Sequence, residues 1–238
     1  RIWVLSDSTI GYLDKAEQFH MVTNIPLNSG IETMTEDYQG NVWFTSSRQG
    51  VMKIVTSNFL DITEAAGLEP EVVNTTCMHQ GLLYIGTDKG LQIVNEEHDP
   101  VYDNLTQELS GTRIRCIIED QDENLWIATY TNGKGLICKK KDGSILSFTE
   151  DNGMVSNGNR CVTQASDGSI LASSNGGLTI IKNDRIERTI GEANGIANTV
   201  FLTVEEENGK IYVGTDGDGI YVIDGNKISR LSREDGLS

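Results

Sequence analysis

Apolar and polar residues alternate along this chain in short runs, and the runs recur. From Ile114 the sequence reads IRCIIEDQDENLWIATYTNGKGL: an apolar run, an acidic pair (Glu119, Asp120), a polar turn, a second apolar run carrying Trp126, a loop with Gly133 and Gly135, and a third run. Period-two alternation broken by tight turns predicts an antiparallel meander. The same order returns from Ile31, Val72, Asn159 and Val200, and the first residues hold only its second half.

Two landmarks measure the period. The second-strand residues Trp3, Trp43, Tyr84, Trp126, Leu171 and Tyr212 are spaced 40, 41, 42, 45 and 41 apart. The glycines before the third strand, Gly11, Gly50, Gly90, Gly135, Gly177 and Gly219, are spaced 39, 40, 45, 42 and 42 apart. A period of about 40–45 residues in four short strands is the signature of propeller blades. The expected fold is all-β: five full four-stranded blades (31–71, 72–113, 114–158, 159–199, 200–238) after a partial blade (1–30) that lacks its innermost strand. Outer strands are expected at Phe19–Val22, Phe59–Thr63, Val101–Tyr102 and Ile145–Thr149. The large ring beside a small residue in each second strand (Trp126 with Ala128, Tyr84 with Gly86, Tyr212 with Gly214) reads as core packing between blades. The linkers EAAGLE, EDNGMVSN and EANGIAN match the terminal EDGLS, so the chain is expected to be cut from a larger ring or array. Its open blade edges would invite pairing between copies.

Composition adds bounds. The 238 residues carry a net charge of −16, which disfavours nucleic acid and acidic membrane as partners. No apolar run reaches the length of a membrane span. The first residue is an arginine, and the parent's location is left open. Cys77, Cys116, Cys138 and Cys161 lie in separate strand-like runs without a CxxC, which predicts buried free thiols and no zinc site; Cys116 and Cys161 share a repeat position. Neither NGKG nor DGDG opens a helix in a βαβ unit, so neither is a nucleotide motif. Asp216 and Asp218 are too few for calcium, which takes about six to eight oxygen ligands, and read as turn residues. No cofactor is expected.

The residues that change the picture are basic. Arg115 and Arg160 stand one residue into consecutive innermost strands, where the other repeats are read to hold Glu32, Val73 and Phe201. Two arginines near the central opening of so acidic a chain point to an anionic or hydroxyl-rich ligand; bonding to acidic neighbours such as Glu119 is the structural alternative. Tyr130 and Lys134 are the flanking candidates, Tyr130 for stacking on a sugar face or as a loop anchor. Arg48 and Lys89 sit in equivalent loops. The loops Ser47–Gln49, Asp88–Lys89, Tyr130–Lys134, Asn175–Gly176 and Asp216–Asp218 share one face with the linkers Ser110–Arg113 and Ser156–Arg160. A constant scaffold with one variable rim is what recognition requires.

The strings IIEDQDENLWIAT, with its later GL, and TEDYQGNVWFTS resemble the two-component regulator propeller repeat. The resemblance covers the whole chain. It departs from the pattern at 159, where Gln164 and Ala165 replace the acidic pair, and at 72, where Cys77 and Met78 do. It implies a ligand-sensing extracytoplasmic region of a membrane-bound bacterial receptor, such as a hybrid histidine kinase or a receptor with a diguanylate cyclase output, often recognising oligosaccharides. The scatter of polar residues and the poverty in histidine predict that these residues are not themselves catalytic. GNVWFTS also looks somewhat like streptogramin lyase propellers. Such an enzyme needs converging acid–base groups with metal assistance, and His20, His79 and His98 share no repeat position. A propeller scaffold that binds a partner protein is the other alternative.

Overall fold

The computed structural model describes residues 2–55, 59–131 and 133–237. They form six antiparallel sheets, each a meander of consecutive strands, in two compact units, Arg1–Asp61 and Ile62–Ser238.

The first unit holds two three-stranded sheets, β1(Ile2–Leu5), β2(Ile10–Leu13), β3(Phe19–Met21) and β4(Ile31–Glu36), β5(Val42–Ser46), β6(Gly50–Ile54). Ile10, Leu27, Ile31, Val42, Phe44 and Met52 form its core, against which Trp3 sets its ring edgewise to Phe44, 5.5 Å between centroids.

The second unit begins with a short helix, α1(Ile62–Ala65), and the three-stranded sheet β7(Val73–His79), β8(Leu82–Thr87), β9(Leu91–Val94). Helix α2(Asn104–Glu108) follows. Three four-stranded sheets complete it: β10(Ile114–Glu119), β11(Leu125–Thr129), β12(Leu136–Lys139), β13(Ile145–Phe148); β14(Asn159–Gln164), β15(Ile170–Ser174), β16(Gly177–Lys182), β17(Arg185–Ile190); and β18(Phe201–Glu207), β19(Lys210–Thr215), β20(Ile220–Asp224), β21(Lys227–Leu231).

Two expected outer strands are therefore absent among the described residues. In place of the first, the sequence ITEAAGL at 62–68 makes α1, helped by the good helix formers Glu64 and Ala65, and Gly67 ends the turn at φ +61°. Ile62, Ala66 and Leu68 pack on Ile85 and Val94. At Val101–Tyr102 the pairing stops after the bridge from Val94 to Pro100 and the bond from Val101 N–H to Ile93 O. Proline has no N–H to continue a ladder. Asp103 then caps α2, its carboxylate accepting from Thr106 N–H at 2.9 Å, and the helix delivers Leu105 and Leu109 into the core. Residues 56–58, which precede the first of these segments, lie outside the described residues.

Both sequence landmarks have physical causes. Trp43 and Trp126 each donate their indole N–H to the hairpin aspartate of their own sheet, Asp37 at 2.9 Å and Asp120 at 2.7 Å. The landmark glycine sits where Thr87, Thr129, Ser174 or Thr215 closes the second strand with a hydroxyl bond to the carbonyl of Gly90, Gly135, Gly177 or Gly219. A side-chain carbon at Gly135 would fall on the carbonyl oxygen of Phe148, and its φ is +68°, so only glycine fits. Gly86, beside Tyr84, leaves room for Ile114 of the next sheet, whose Cγ2 would lie 2.6 Å from a Cβ there.

Successive sheets of this unit are tied at the hairpin end as well as through their cores. Glu119, Gln164 and Glu206, at equivalent places in β10, β14 and β18, each accept a bond from the preceding sheet: the His79 ring at 2.6 Å, Gln121 N–H at 2.8 Å and Ser166 N–H at 2.7 Å. The β7–β8 register also corrects the alignment of that repeat: Met78 and His79, not Cys77 and Met78, stand in place of the acidic pair. All four thiols are free, but only Cys138 is fully buried; the other three are half-buried.

Candidate functional site

Every innermost strand carries a bulge one residue from its start. The register breaks between Ile31 and Thr33, Val73 and Thr75, Ile114 and Cys116, Asn159 and Cys161, and Phe201 and Thr203. A bulged residue has no pairing partner and is re-aimed out of the ladder. The bulged residues are Glu32, Asn74, Arg115, Arg160 and Leu202. Asn74 and Leu202, not Val73 and Phe201, are thus the true equivalents of the two arginines. No contiguous sequence pattern reveals the offset.

Opposite each bulge, the loop after the second strand is pinned to the linker by one backbone bond. Ser47, Asp88, Tyr130, Asn175 and Asp216 donate their N–H to the carbonyls of Gly30, Val72, Arg113, Gly158 and Val200. The backbone is constant and the side chain at its tip is free to vary.

These two variable positions meet in the sheets β7–β9, β10–β13 and β14–β17. In the first, bulge and loop of one sheet bond to each other: Asn74 Nδ2 donates to Asp88 Oδ1 at 2.7 Å. In the third they do so again, Arg160 Nε donating to Asn175 Oδ1 at 2.7 Å. The middle sheet differs. Its loop residue Tyr130 bonds across to the next sheet, its phenolic oxygen accepting from Arg160 Nη2 at 3.1 Å and from Asn175 Nδ2 at 3.1 Å. Its own bulge residue, Arg115, is half-buried and has no hydrogen-bond or ion-pair partner among the described residues.

Tyr130 is the hub. The Arg160 guanidinium lies 4.9 Å from its ring centroid and that of Arg113 5.9 Å, both in cation–π range. Arg113 Nε stands 2.8 Å from Asp88 Oδ1, an ion pair whose geometry falls short of a hydrogen bond. The bond from Asn175 lowers the Tyr130 phenol's pKa from its ordinary value; burial opposes this, and the charges of Arg160, Arg113 and Arg115 add to it. Both bonds to the phenolic oxygen among the described residues are accepted ones, which leaves its own proton to donate. Among the described residues the cluster offers a guanidinium without a hydrogen-bond or ion-pair partner and an O–H donor beside an aromatic face, a set suited to a carboxylate, phosphate, sulfate or sugar hydroxyls.

Of the residues singled out from sequence, Arg160 and Tyr130 are in contact, and Arg115 lies within electrostatic reach of the Tyr130 phenol. Lys134 instead faces Glu108 at 3.6 Å, and Lys89 pairs with Glu71 at 2.6 Å. Arg48 is exposed in the first unit. Neither arginine of the pair bonds to Glu119, which is held by His79. Sequence reading underrated Arg113 and Asn175, named there only within a linker and a loop, and missed Asn74. Asp218 is held by Tyr221 Oη and Arg230 Nη1, both at 2.6 Å, consistent with a turn role.

Comparisons with known proteins bear on the scaffold. Residues 108–131, which span β10, its hairpin and β11, match the profile of the two component regulator propeller. A search of curated proteins gave no match. Two structures of the extracellular domain of BT4673 from B. thetaiotaomicron, described in one as a one component system and in the other as a hybrid two component system, are similar at TM-score 0.62 and 18% identity. They cover 94% and 96% of this chain and 35% of that one, so the chain spans about a third of the length of that domain. A streptogramin B lyase structure is similar at TM-score 0.53 and 13% identity over 97% of this chain and 79% of that one. The likeness is one of fold: consecutive antiparallel sheets, found both in that extracellular domain and in a lyase.

Proposed function

We propose that this chain is part of the ligand-sensing extracytoplasmic region of a bacterial signalling receptor, its six sheets serving as consecutive blades of a propeller or propeller array. The ligand is a small anionic or hydroxyl-rich molecule, an oligosaccharide fitting best, and it binds at Arg115, Arg160 and Tyr130, with Arg113 and Asn175 behind them. The observation that carries this reading is Arg115: a half-buried cation without a hydrogen-bond or ion-pair partner among the described residues, within electrostatic reach of a phenol whose two bonds are both accepted ones. Buried charges are ordinarily paired or hydrogen-bonded, and the equivalent residues of the sheets on either side, Asn74 and Arg160, are both hydrogen-bonded. The fold shared with the BT4673 extracellular domain supports a receptor setting. Among the described residues no helix is long and apolar enough to cross a membrane.

We read the chain as binding rather than catalytic. The histidines are held separately: His20 against Asp14 at 2.7 Å, His79 against Glu119 with 1% of its side chain exposed, and His98 through Nδ1 to Glu96 O at 3.0 Å. Turnover of a lactone or glycan that one rim substitution abolishes would overturn this.

A glycan array on the parent's complete extracellular domain, followed by calorimetry, tests the assignment. The Arg115→Ala, Arg160→Ala double variant should lose about 2–5 kcal/mol of binding if the contacts are desolvated. Full affinity in that variant refutes the site. Capture of a partner protein with no small ligand bound favours the scaffold reading instead.

A further inference from the structure

The opposite end of the second unit carries a pocket that the sensing site does not use. It has a volume of 540 Å³ and lies between the sheets β14–β17 and β18–β21, at the end where β14 turns into β15. Its floor is Leu171, Ile180 and Ile211, and its rim includes Glu187, Arg188 and Glu206. The volume is in the range of small-molecule sites, about 300–1,000 Å³.

The equivalent groove one sheet earlier, between β10–β13 and β14–β17, measures 370 Å³ and is lined by Asp120, Asn124 and Trp126. The strand registers place Trp126 and Leu171 at the same position, as they do Phe148 and Ile190. In the earlier sheet the indole is 2% exposed, lies 5.7 Å from the Phe148 ring and donates to Asp120, which also takes both Asn124 nitrogens. In the later sheet all four side chains are cut back together, to Ala165, Ser169, Leu171 and Ile190. The first two strands of the earlier sheet hold a bicyclic aromatic ring where those of the later sheet hold Leu171; on the third strand Ile180 replaces Cys138, and a bulge in β16–β17 between Ile180 and Ile181 leaves Glu187 unpaired at the rim.

The rim states the charge of what replaces it. Asp167 is neutralised by Lys182 at 2.6 Å. Arg188 donates to Gly225 O at 2.9 Å. Glu206 is held at the rim by backbone N–H groups of Ser166 and Gly209. Glu187 makes no hydrogen bond or ion pair among the described residues; Lys182 acts on it only through its charge and is itself bonded to Asp167. Setting Arg188 against one of the two glutamates leaves one negative charge facing the pocket.

We propose that this pocket is a binding site for a planar aromatic ring bearing a cationic amine, an arylalkylamine, with the ring in the space an indole fills in the preceding sheet and the ammonium at Glu206 and Glu187. It lies at the opposite end of the strands from Tyr130 and stands or falls independently of the sensing site.

The test is calorimetric titration of the full chain with tryptamine, indole and indole-3-acetate. Tryptamine should bind more tightly than indole by about fivefold, the upper range for a partly exposed charge pair, and indole-3-acetate more weakly than both. Leu171→Trp, which restores the side chain of the preceding sheet, should abolish binding of all three. Glu206→Gln retains the acceptor that Gln164 supplies at the equivalent place, so it should spare folding and indole binding while removing most of the tryptamine advantage. The proposal is overturned if none of the three binds at millimolar concentration, if indole-3-acetate equals tryptamine, or if natively folded Leu171→Trp binds as the parent does. Should Leu171→Trp fail to fold, the Glu206→Gln, Glu187→Gln variant decides: unchanged tryptamine affinity there refutes the site.

Discussion

The two ends of strand β10 solve opposite problems. Just past its end, Asp120 is 8% exposed, and its two oxygens accept from the backbone of Asp122 and Asn124, from the Asn124 amide and from the Trp126 indole. Near its start, Arg115 is half-buried and accepted by nothing among the described residues. One charge is fully spent on the fold and the other is held in reserve. In a repeat protein this division is expected, because the hairpin end must hold each unit together while the loop end is free to differ from repeat to repeat.

Removing the satisfied charge should have the largest effect. Asp120→Ala leaves the buried Trp126 N–H and Asn124 amide without an acceptor, and each orphaned buried donor costs about 1–3 kcal/mol. A loss of about 2–4 kcal/mol in urea unfolding is expected, with m unchanged. A loss below about 0.5 kcal/mol would mean that the hairpin network does not support the sheet. The sheet β14–β17 survives with Ala165 at this position because Leu171 has no polar group to orphan and Ser169 finds its acceptor in Asp167 instead.

The repeat landmarks were legible in the sequence because they answer to local constraints: an indole that must reach its own hairpin aspartate, and a glycine that cannot carry a Cβ beneath a carbonyl. The outer strands were less so. Phe59–Thr63 and Val101–Tyr102 are apolar enough for strands, but a capping aspartate, a proline without a donor and a run of helix formers decide otherwise. The arginines were legible as unusual residues in an acidic chain. Their different fates were not, since Arg160 is engaged by Asn175 of its own sheet and by Tyr130 reaching in from the preceding one, whereas Arg115 has no such partner among the described residues. Such a contact depends on the bulge and on loop geometry, neither of which has a sequence period.

A second, smaller effect separates the two ends by pH. Burial pushes the Asp120 carboxyl up, but the bonds from Asn124, Trp126 and the turn amides outweigh it and hold its pKa below the ordinary value. Asp37 is likewise held down, by Trp43 first and then Asn41. A carboxyl whose pKa is depressed by folding contributes stability that is complete above the unfolded value, about 3.9, and is lost as pH falls through the folded one. Stability should therefore hold from neutrality to about pH 5 and fall steeply below about pH 4. Asp120→Ala should flatten that acid limb in urea midpoints taken at successive pH values; an unchanged slope would show that Asp120 titrates alike in both states.

The smallest expected effect is the most discriminating. Arg115→Ala breaks no hydrogen bond or ion pair among the described residues, so its unfolding free energy should stay within about 0.5 kcal/mol of the parent, the range of an uninvolved surface position. Arg160→Ala should cost more, about 1–2 kcal/mol, because it removes donors to Asn175 and Tyr130 at about 0.5–1.5 kcal/mol each. A binding residue held in reserve can be deleted at almost no cost to the fold, whereas a structural one cannot. If urea unfolding shows Arg115→Ala to be as damaging as Arg160→Ala, Arg115 is part of the scaffold. The contrast between the two ends of β10 then disappears, and with it the observation that places a ligand beside Tyr130.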